Sequence, residues 1–177
     1  MGRRRLAALG TVAFAAVAPG TVAVVLPWRL AGRRVHPPLG DSRATRWVGA
    51  GLIAAGAPLV ASAFVRFVRA AGTPSPAFET ESLVVTGPYR YTRNPQYVGV
   101  VTVVAGEGLL YGSRRVLAYS AALWAVFNLW VRVYEEPRLR SRFGADYDAY
   151  VRTVPRWLLP PRRTPHPAAP EHAPTDA

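Results

Sequence analysis

Leu83-Val84-Val85-Thr86-Gly87-Pro88-Tyr89-Arg90-Tyr91-Thr92-Arg93-Asn94-Pro95-Gln96-Tyr97-Val98-Gly99 is a polar, aromatic-rich passage caught between long apolar runs. Gly87-Pro88 is a turn signal. Asn94-Pro95 reads as a helix start, because an Asn side chain caps free backbone N–H groups and Pro fits the first helical position. A loop therefore ends here and a membrane-like helix begins. The first turn of that helix offers unpaired N–H donors and a partial positive charge, a natural seat for a carboxylate or other anion. Tyr89, Tyr91 and Tyr97 surround the seat with flat faces, and an acid pair, Glu135-Glu136, lies downstream.

Working outward towards the C-terminus, residues 95–112 form an apolar run of about 18 residues, enough to cross a bilayer with little tilt. Glu107 interrupts it. A charge near a helix centre costs on the order of 2.5 to 3.5 kcal/mol on insertion scales, so Glu107 is expected to face protein or a wet cavity. It is either a wall of the active cavity or a hydrogen-bonded structural acid. Ser113-Arg114-Arg115 reads as a tight turn into a further run, 116–134, which makes the two an antiparallel hairpin. Residues 137–153 are polar, with Leu139, Phe143, Tyr147, Tyr150 and Val151 three and four apart, the pattern of a surface helix that Gly144 could divide. Residues 154–159 are expected at the interface, and 159–177 are Pro-rich and too poor in large apolar side chains to pack.

Towards the N-terminus, residues 47–69 form another apolar run, in which Gly51 and Ala55 could admit a neighbouring helix. Before it, 29–46 is a polar loop with five arginines, and 6–28 is apolar for 23 residues. That first run is read as a transmembrane helix kinked at Pro19-Gly20; a cleaved signal peptide is the competing reading. Trp28 and Trp47 would anchor two helix ends at one interface. The expected fold is an all-α integral membrane protein of four transmembrane helices plus a C-terminal interfacial helix, in one domain over 1–158. Placing both termini and the central motif on the cytoplasmic face puts fifteen of the 22 arginines there, as the positive-inside bias requires.

Composition excludes several alternatives. Half the 177 residues are hydrophobic and 18% are charged, which suits a membrane protein. The net charge of +12 comes from arginines in short clusters flanking apolar runs, a membrane-loop distribution rather than a nucleic-acid surface. With no cysteine, disulfides, thiol nucleophiles and Cys-bound zinc are impossible, and the three histidines are too scattered for a metal site. No GxGxxG or P-loop pattern occurs, which argues against a Rossmann enzyme.

The passage Gly87 to Gly99, followed by Tyr134-Glu135-Glu136, Phe143-Gly144-Ala145-Asp146-Tyr147 and Tyr150, resembles the isoprenylcysteine carboxyl methyltransferase family, which is itself similar to the membrane phospholipid methyltransferases. The likeness covers roughly residues 80 to 158. It implies an S-adenosyl-L-methionine-dependent membrane methyltransferase acting on a lipid-like or prenylated small molecule. The implied cofactor residues are Glu81, Ser82, Leu83, Val84, Tyr89, Asn94, Pro95, Gln96, Tyr97 and Glu135.

The residue types suit that donor. Tyr89, Tyr91 and Tyr97 can stack on adenine or face the sulfonium, the Asn94-Pro95 helix start can hold the carboxylate, and Glu135 can pair with the ammonium. Two departures stand out. Many relatives have His where this chain has Asn94, and some place a substrate-binding Arg four residues before the Glu, where this chain has Val131. The nearest cation is Arg132, one residue away and so turned by about 100° on a helix. Arg132 and Glu136 are the catalytic candidates. A carboxylate acceptor needs no base and would be held by Arg132, whereas an amine or thiol acceptor would need Glu136 or Glu107 to take a proton. The bland alternatives are an Arg132-Glu136 pair that stabilises a helix end, and a non-enzymatic four-helix scaffold binding anionic lipid.

Overall fold

The computed structural model describes residues 20–32, 43–70, 83 and 85–157, and of 63–70 the backbone alone. The described residues are helical and loop, with no strand. Helix α1 opens with a π turn, Thr21–Val25, and continues as Leu26–Ala31; α2 is Arg43–Ala70. A 3-10 turn, Gly87–Arg90, leads to α3, Pro95–Leu110. Helix α4, Arg114–Trp130, passes through a second π turn, Val131–Glu135, into α5, Glu136–Thr153. The expected tail 159–177, the first run up to residue 19 and the loop 33–42 lie outside the described residues.

Helices α2 and α3 pack antiparallel through backbone contact at two glycine pairs, Gly49 with Gly106 and Gly56 with Gly99. A Cβ at Gly49 would stand 2.7 Å from the Gly106 carbonyl oxygen, and one at Gly56 would stand 2.8 Å from that of Gly99. Within each helix the two glycines are seven residues apart, so one stripe stays in register over two turns. Lipid tails offer helices no hydrophobic drive to associate, so close backbone approach supplies the attraction instead. The sequence reading placed this contact at Gly51 and Ala55. Gly51 meets nothing within 4 Å and Ala55 is exposed, because the stripe runs one helical face away.

A tight turn at Gly112, with φ of 60°, reverses the chain, and the Ser113 hydroxyl caps α4 by accepting from Val116 N–H. The Ser120 hydroxyl then donates to the Val101 carbonyl at 2.9 Å, tying α4 back to α3. Ala23, Val100, Val104 and Val116 form the buried core where α1, α3 and α4 meet.

Each π turn ends immediately before an X-Pro step, at Leu26-Pro27 and Glu136-Pro137. Proline brings no N–H to the carbonyl four residues back, and its ring crowds that carbonyl, so the preceding turn widens. In α1 the loss is offset by Tyr119, whose hydroxyl donates to the Val22 carbonyl at 3.1 Å.

Among the described residues, two helices are long and apolar enough to cross a membrane, Arg43–Ser62 and the continuous Arg114–Thr153. The latter, at 40 residues, would be about 60 Å long, twice a hydrocarbon core of about 30 Å. Only its first half, α4, is apolar enough for a span; α5 is polar. Gly144, at φ 50° and ψ −123°, breaks α5 as its position suggested. Helix α3 has 16 residues and ends at Leu110 rather than 112, short of a full span by length.

The glycine stripe gives a direct test. Gly106→Val should destabilise the protein by about 1 to 3 kcal/mol, since the facing atoms are backbone and cannot step aside. Gly51→Val, facing open space, should be tolerated; thermal unfolding in detergent distinguishes the two.

Candidate functional site

The loop before α3 is shaped by Gly87, whose φ of 63° an L side chain rarely adopts, and by Pro88, whose carbonyl accepts from both Tyr91 N–H and Thr92 N–H. This turn presents Tyr89 to α3, where its hydroxyl donates to Gln96 Oε1 at 3.0 Å. From the other side, the Tyr150 hydroxyl of α5 donates to the Tyr89 carbonyl at 2.7 Å. Burial and the neighbouring Tyr89 push the Tyr150 phenol well above its ordinary range, so it remains a donor.

The two sequence blocks meet at Glu135. The Tyr97 hydroxyl donates to Glu135 Oε1 at 2.5 Å and Trp130 Nε1–H donates to the same oxygen at 3.2 Å. Residues five apart share a face on a π turn, which is why Trp130 and Glu135 converge. The Tyr97 ring stacks on Phe127 with centroids 4.6 Å apart. Both side-chain bonds land on Oε1, leaving Oε2 unused among the described residues. The result is a half-buried carboxylate beside aromatic faces, bonded to Tyr97 in the first turn of α3.

Glu136 has a different fate. Arg156 grips it bidentately, Nε to Oε1 at 2.6 Å and Nη2 to Oε2 at 2.7 Å, and Arg93 Nη1 lies 3.0 Å from Oε1. Arg93 also donates to the Tyr147 hydroxyl at 3.2 Å. Burial alone would raise the Glu136 carboxyl, but the Arg156 hydrogen bonds and the Arg93 and Arg156 charges outweigh it and hold the group below its ordinary range. Such a carboxylate is a poor base. The alternative Arg132-Glu136 pair does not form, since Glu136 is taken by this clamp, and Arg132 is exposed.

Among the predicted site residues, Tyr89, Gln96, Tyr97 and Glu135 are brought together, and Pro95 is fully buried at the start of α3. Asn94 is buried but does not cap α3. Its Nδ2 donates instead to the Arg156 carbonyl at 3.1 Å, because Thr92 and Asn94 are drawn to that carbonyl together. Leu83 packs on the cluster of Tyr147, Tyr150 and Val154, while Glu81, Ser82 and Val84 lie outside the described residues. Glu107 is 8% exposed, ten residues along α3 from Tyr97, or about 15 Å. Sequence reasoning missed Arg93, Trp130, Arg156 and Trp157. Arg156 and Trp157 sit in a segment assigned to the interface; Trp157 Nε1–H instead donates to Asn128 Oδ1 at 3.1 Å. No group of metal-ligating side chains occurs among the described residues.

The family model described as phospholipid methyltransferase matches residues 44–146, more than half the chain. The chain belongs to the phospholipid methyltransferase family. It is also 38% identical over 74 residues to the protein-S-isoprenylcysteine O-methyltransferase of Schizosaccharomyces pombe, covering 41% of this chain and 31% of that protein. A probable protein-S-isoprenylcysteine O-methyltransferase of Oryza sativa subsp. indica is 31% identical over 77 residues, covering 43% of this chain and 40% of the relative. These relatives support the likeness to isoprenylcysteine methyltransferases, and the chain spans well under half the length of either. No solved structure matches it.

The clamp makes stability depend on pH. Since the folded Glu136 carboxyl titrates below its ordinary value of 4.5, its contribution is complete above that pH and fades as pH falls through the lower folded value. Glu136→Gln should cost about 3 kcal/mol at neutral pH, because it leaves two guanidinium groups facing a neutral amide. The variant's unfolding midpoint should also lose much of the acid sensitivity expected of the parent as pH falls below 4.5. Equal acid sensitivity in both would remove the clamp as its source.

Proposed function

We propose that the chain is a membrane methyltransferase that takes its methyl group from S-adenosyl-L-methionine and delivers it to a carboxylate of a lipid-like or prenylated acceptor. The observation that carries this reading is the junction at Glu135, where groups 38 residues apart in sequence build an aromatic-walled carboxylate beside a helix start. The donor set fits the cofactor. Glu135 Oε2 is available for an ammonium, aromatic faces suit a sulfonium, and the first-turn N–H groups of Gln96 and Tyr97, which have no intrahelical acceptor, suit a carboxylate.

The cofactor supplies an electrophilic methyl group; the protein supplies placement. Tyr97 and Trp130 fix the Glu135 carboxylate through Oε1, so that it presents one orientation. Tyr89 and Gln96 brace each other and hold the loop against α3. Glu81, Ser82, Leu83 and Val84 complete the cofactor strip in this reading. Arg132, exposed at the membrane-proximal turn, is the residue proposed to hold the acceptor carboxylate.

An ionised carboxylate acceptor is favoured over an amine or thiol because neither candidate base is well placed. Glu136 is committed to two guanidinium groups, and Glu107 lies about 15 Å along α3 from Tyr97. The relatives, named as O-methyltransferases, agree with this choice. The reading includes four membrane passages with both termini and the cofactor side cytoplasmic: α1 continuing towards the N-terminus, α2, a slightly tilted α3, and α4.

Calorimetric titration of S-adenosylmethionine into detergent-purified protein tests the proposal. The parent should bind, and Glu135→Gln should bind about 1 to 3 kcal/mol more weakly. Arg132→Ala should keep cofactor affinity while losing acceptor turnover. Parent protein that is folded yet binds no cofactor would sink the proposal.

A further inference from the structure

The short segment 154–157 does something that neither the family likeness nor the acid pair explains. Its Arg156 carbonyl accepts from the Thr92 hydroxyl at 3.0 Å and from Asn94 Nδ2 at 3.1 Å, and the Pro155 carbonyl accepts from Arg93 N–H at 3.0 Å. Three consecutive loop residues, 92 to 94, are thus held by two consecutive residues about 62 positions later. The segment is pinned in turn by the Arg156 guanidinium on Glu136, by Val154 buried against Tyr147 and Tyr150, and by Trp157 on Asn128.

The consequence concerns Asn94. Asn at the position before a helix ordinarily turns its side-chain oxygen onto the first free N–H groups. Here ψ is 54° rather than extended, and the side chain makes no capping bond because its amide is spent on Arg156. The first-turn donors of the 16-residue α3 therefore stay open. Beside them Arg93, with a side chain 9% exposed, has an Nε–H without an acceptor. Two guanidinium groups face the one carboxylate of Glu136, so neither is free to move onto the helix start.

We propose that Arg156 is a positioning residue for the methyl donor's carboxylate. Through Glu136 it fixes its own carbonyl, the carbonyl draws the Asn94 side chain away from α3, and the helix start is kept open for an anion. This inference rests on the methyl-donor reading but assigns a role to a residue outside the donor contacts. Without the anchor, the segment loosens, and Asn94 turns into the ordinary capping position and fills the seat.

The test uses the full chain in detergent, titrated with S-adenosylmethionine and with decarboxylated S-adenosylmethionine, which retains the sulfonium, ammonium and adenosine. Arg156→Ala should weaken S-adenosylmethionine about tenfold or more while changing the decarboxylated compound less than about twofold. Arg156→Lys, which keeps the charge but not the bidentate grip, should fall between, and gives the comparison should the Ala variant fold poorly. Asn94→Asp, a strong capping residue repelled by the Arg156 carbonyl, should lose S-adenosylmethionine selectively in the same way. Equal weakening of both compounds would mean a merely structural role and overturn the inference, as would unchanged binding of both. Parent protein that binds neither compound overturns the donor reading itself, a different result.

Discussion

The carboxylate of Glu136, gripped by Arg156 and touched by Arg93, is the interaction on which the arrangement beyond the membrane core depends. It joins three pieces far apart in sequence: the loop before α3, the start of α5 and the segment after it. Burying three charges is costly, and a buried ion pair often gains little net stability over apolar packing. What it gains here is geometry. Its bidentate form fixes orientation as well as distance, and the backbone carbonyls next to Arg156 then hold Arg93 N–H, Thr92 and Asn94. An apolar contact of equal size would let that loop slide.

Within the membrane the constraint is different. Helices α2 and α3 bring their backbones into contact at the two glycine pairs, the kind of close approach that holds helices together where apolar burial gives no drive. This also bears on the shortness of α3. Sixteen residues extend about 24 Å, less than a typical hydrocarbon core, but the helix is sheathed by α2 and α4 and its N-terminus is held from outside by the loop. A firmly held short helix keeps its first turn in a defined place relative to the loop and α5.

Much of this was legible in the sequence. Apolar run lengths gave α2, α3 and α4 to within a few residues, Pro95 gave the start of α3, and the spacing of Phe143, Tyr147 and Tyr150 gave the buried side of α5. The family resemblance put Tyr97 and Glu135 in one set of site residues, and the fold joins them directly. What escaped was long-range or one face off. Gly51 and Gly49 differ only in which side of α2 they occupy, and hydropathy does not say where α3 lies. Arg156 looks like any interfacial arginine until the fold places it against Glu136. The Asn94 cap failed for the same reason: local preference was correct, but a carbonyl 62 residues away competes for the side chain and wins.

Two adjacent glutamates show how a local backbone change divides roles. On an ordinary helix Glu135 and Glu136 would point about 100° apart, and nothing in their chemistry would send one to α3 and the other to the clamp. Pro137 decides it. By removing an N–H it widens the preceding turn, and the widened turn aligns Glu135 with Trp130 and with Tyr97 of α3 while Val131 turns inward and Glu136 enters the clamp. The same device at Pro27 has no acid to sort and is closed by the Tyr119 hydroxyl. A proline that in isolation only weakens a helix thus separates the carboxylate that meets Tyr97 of α3 from the one that holds the loop, and it does so because each widened turn is met by a side chain from a neighbouring helix.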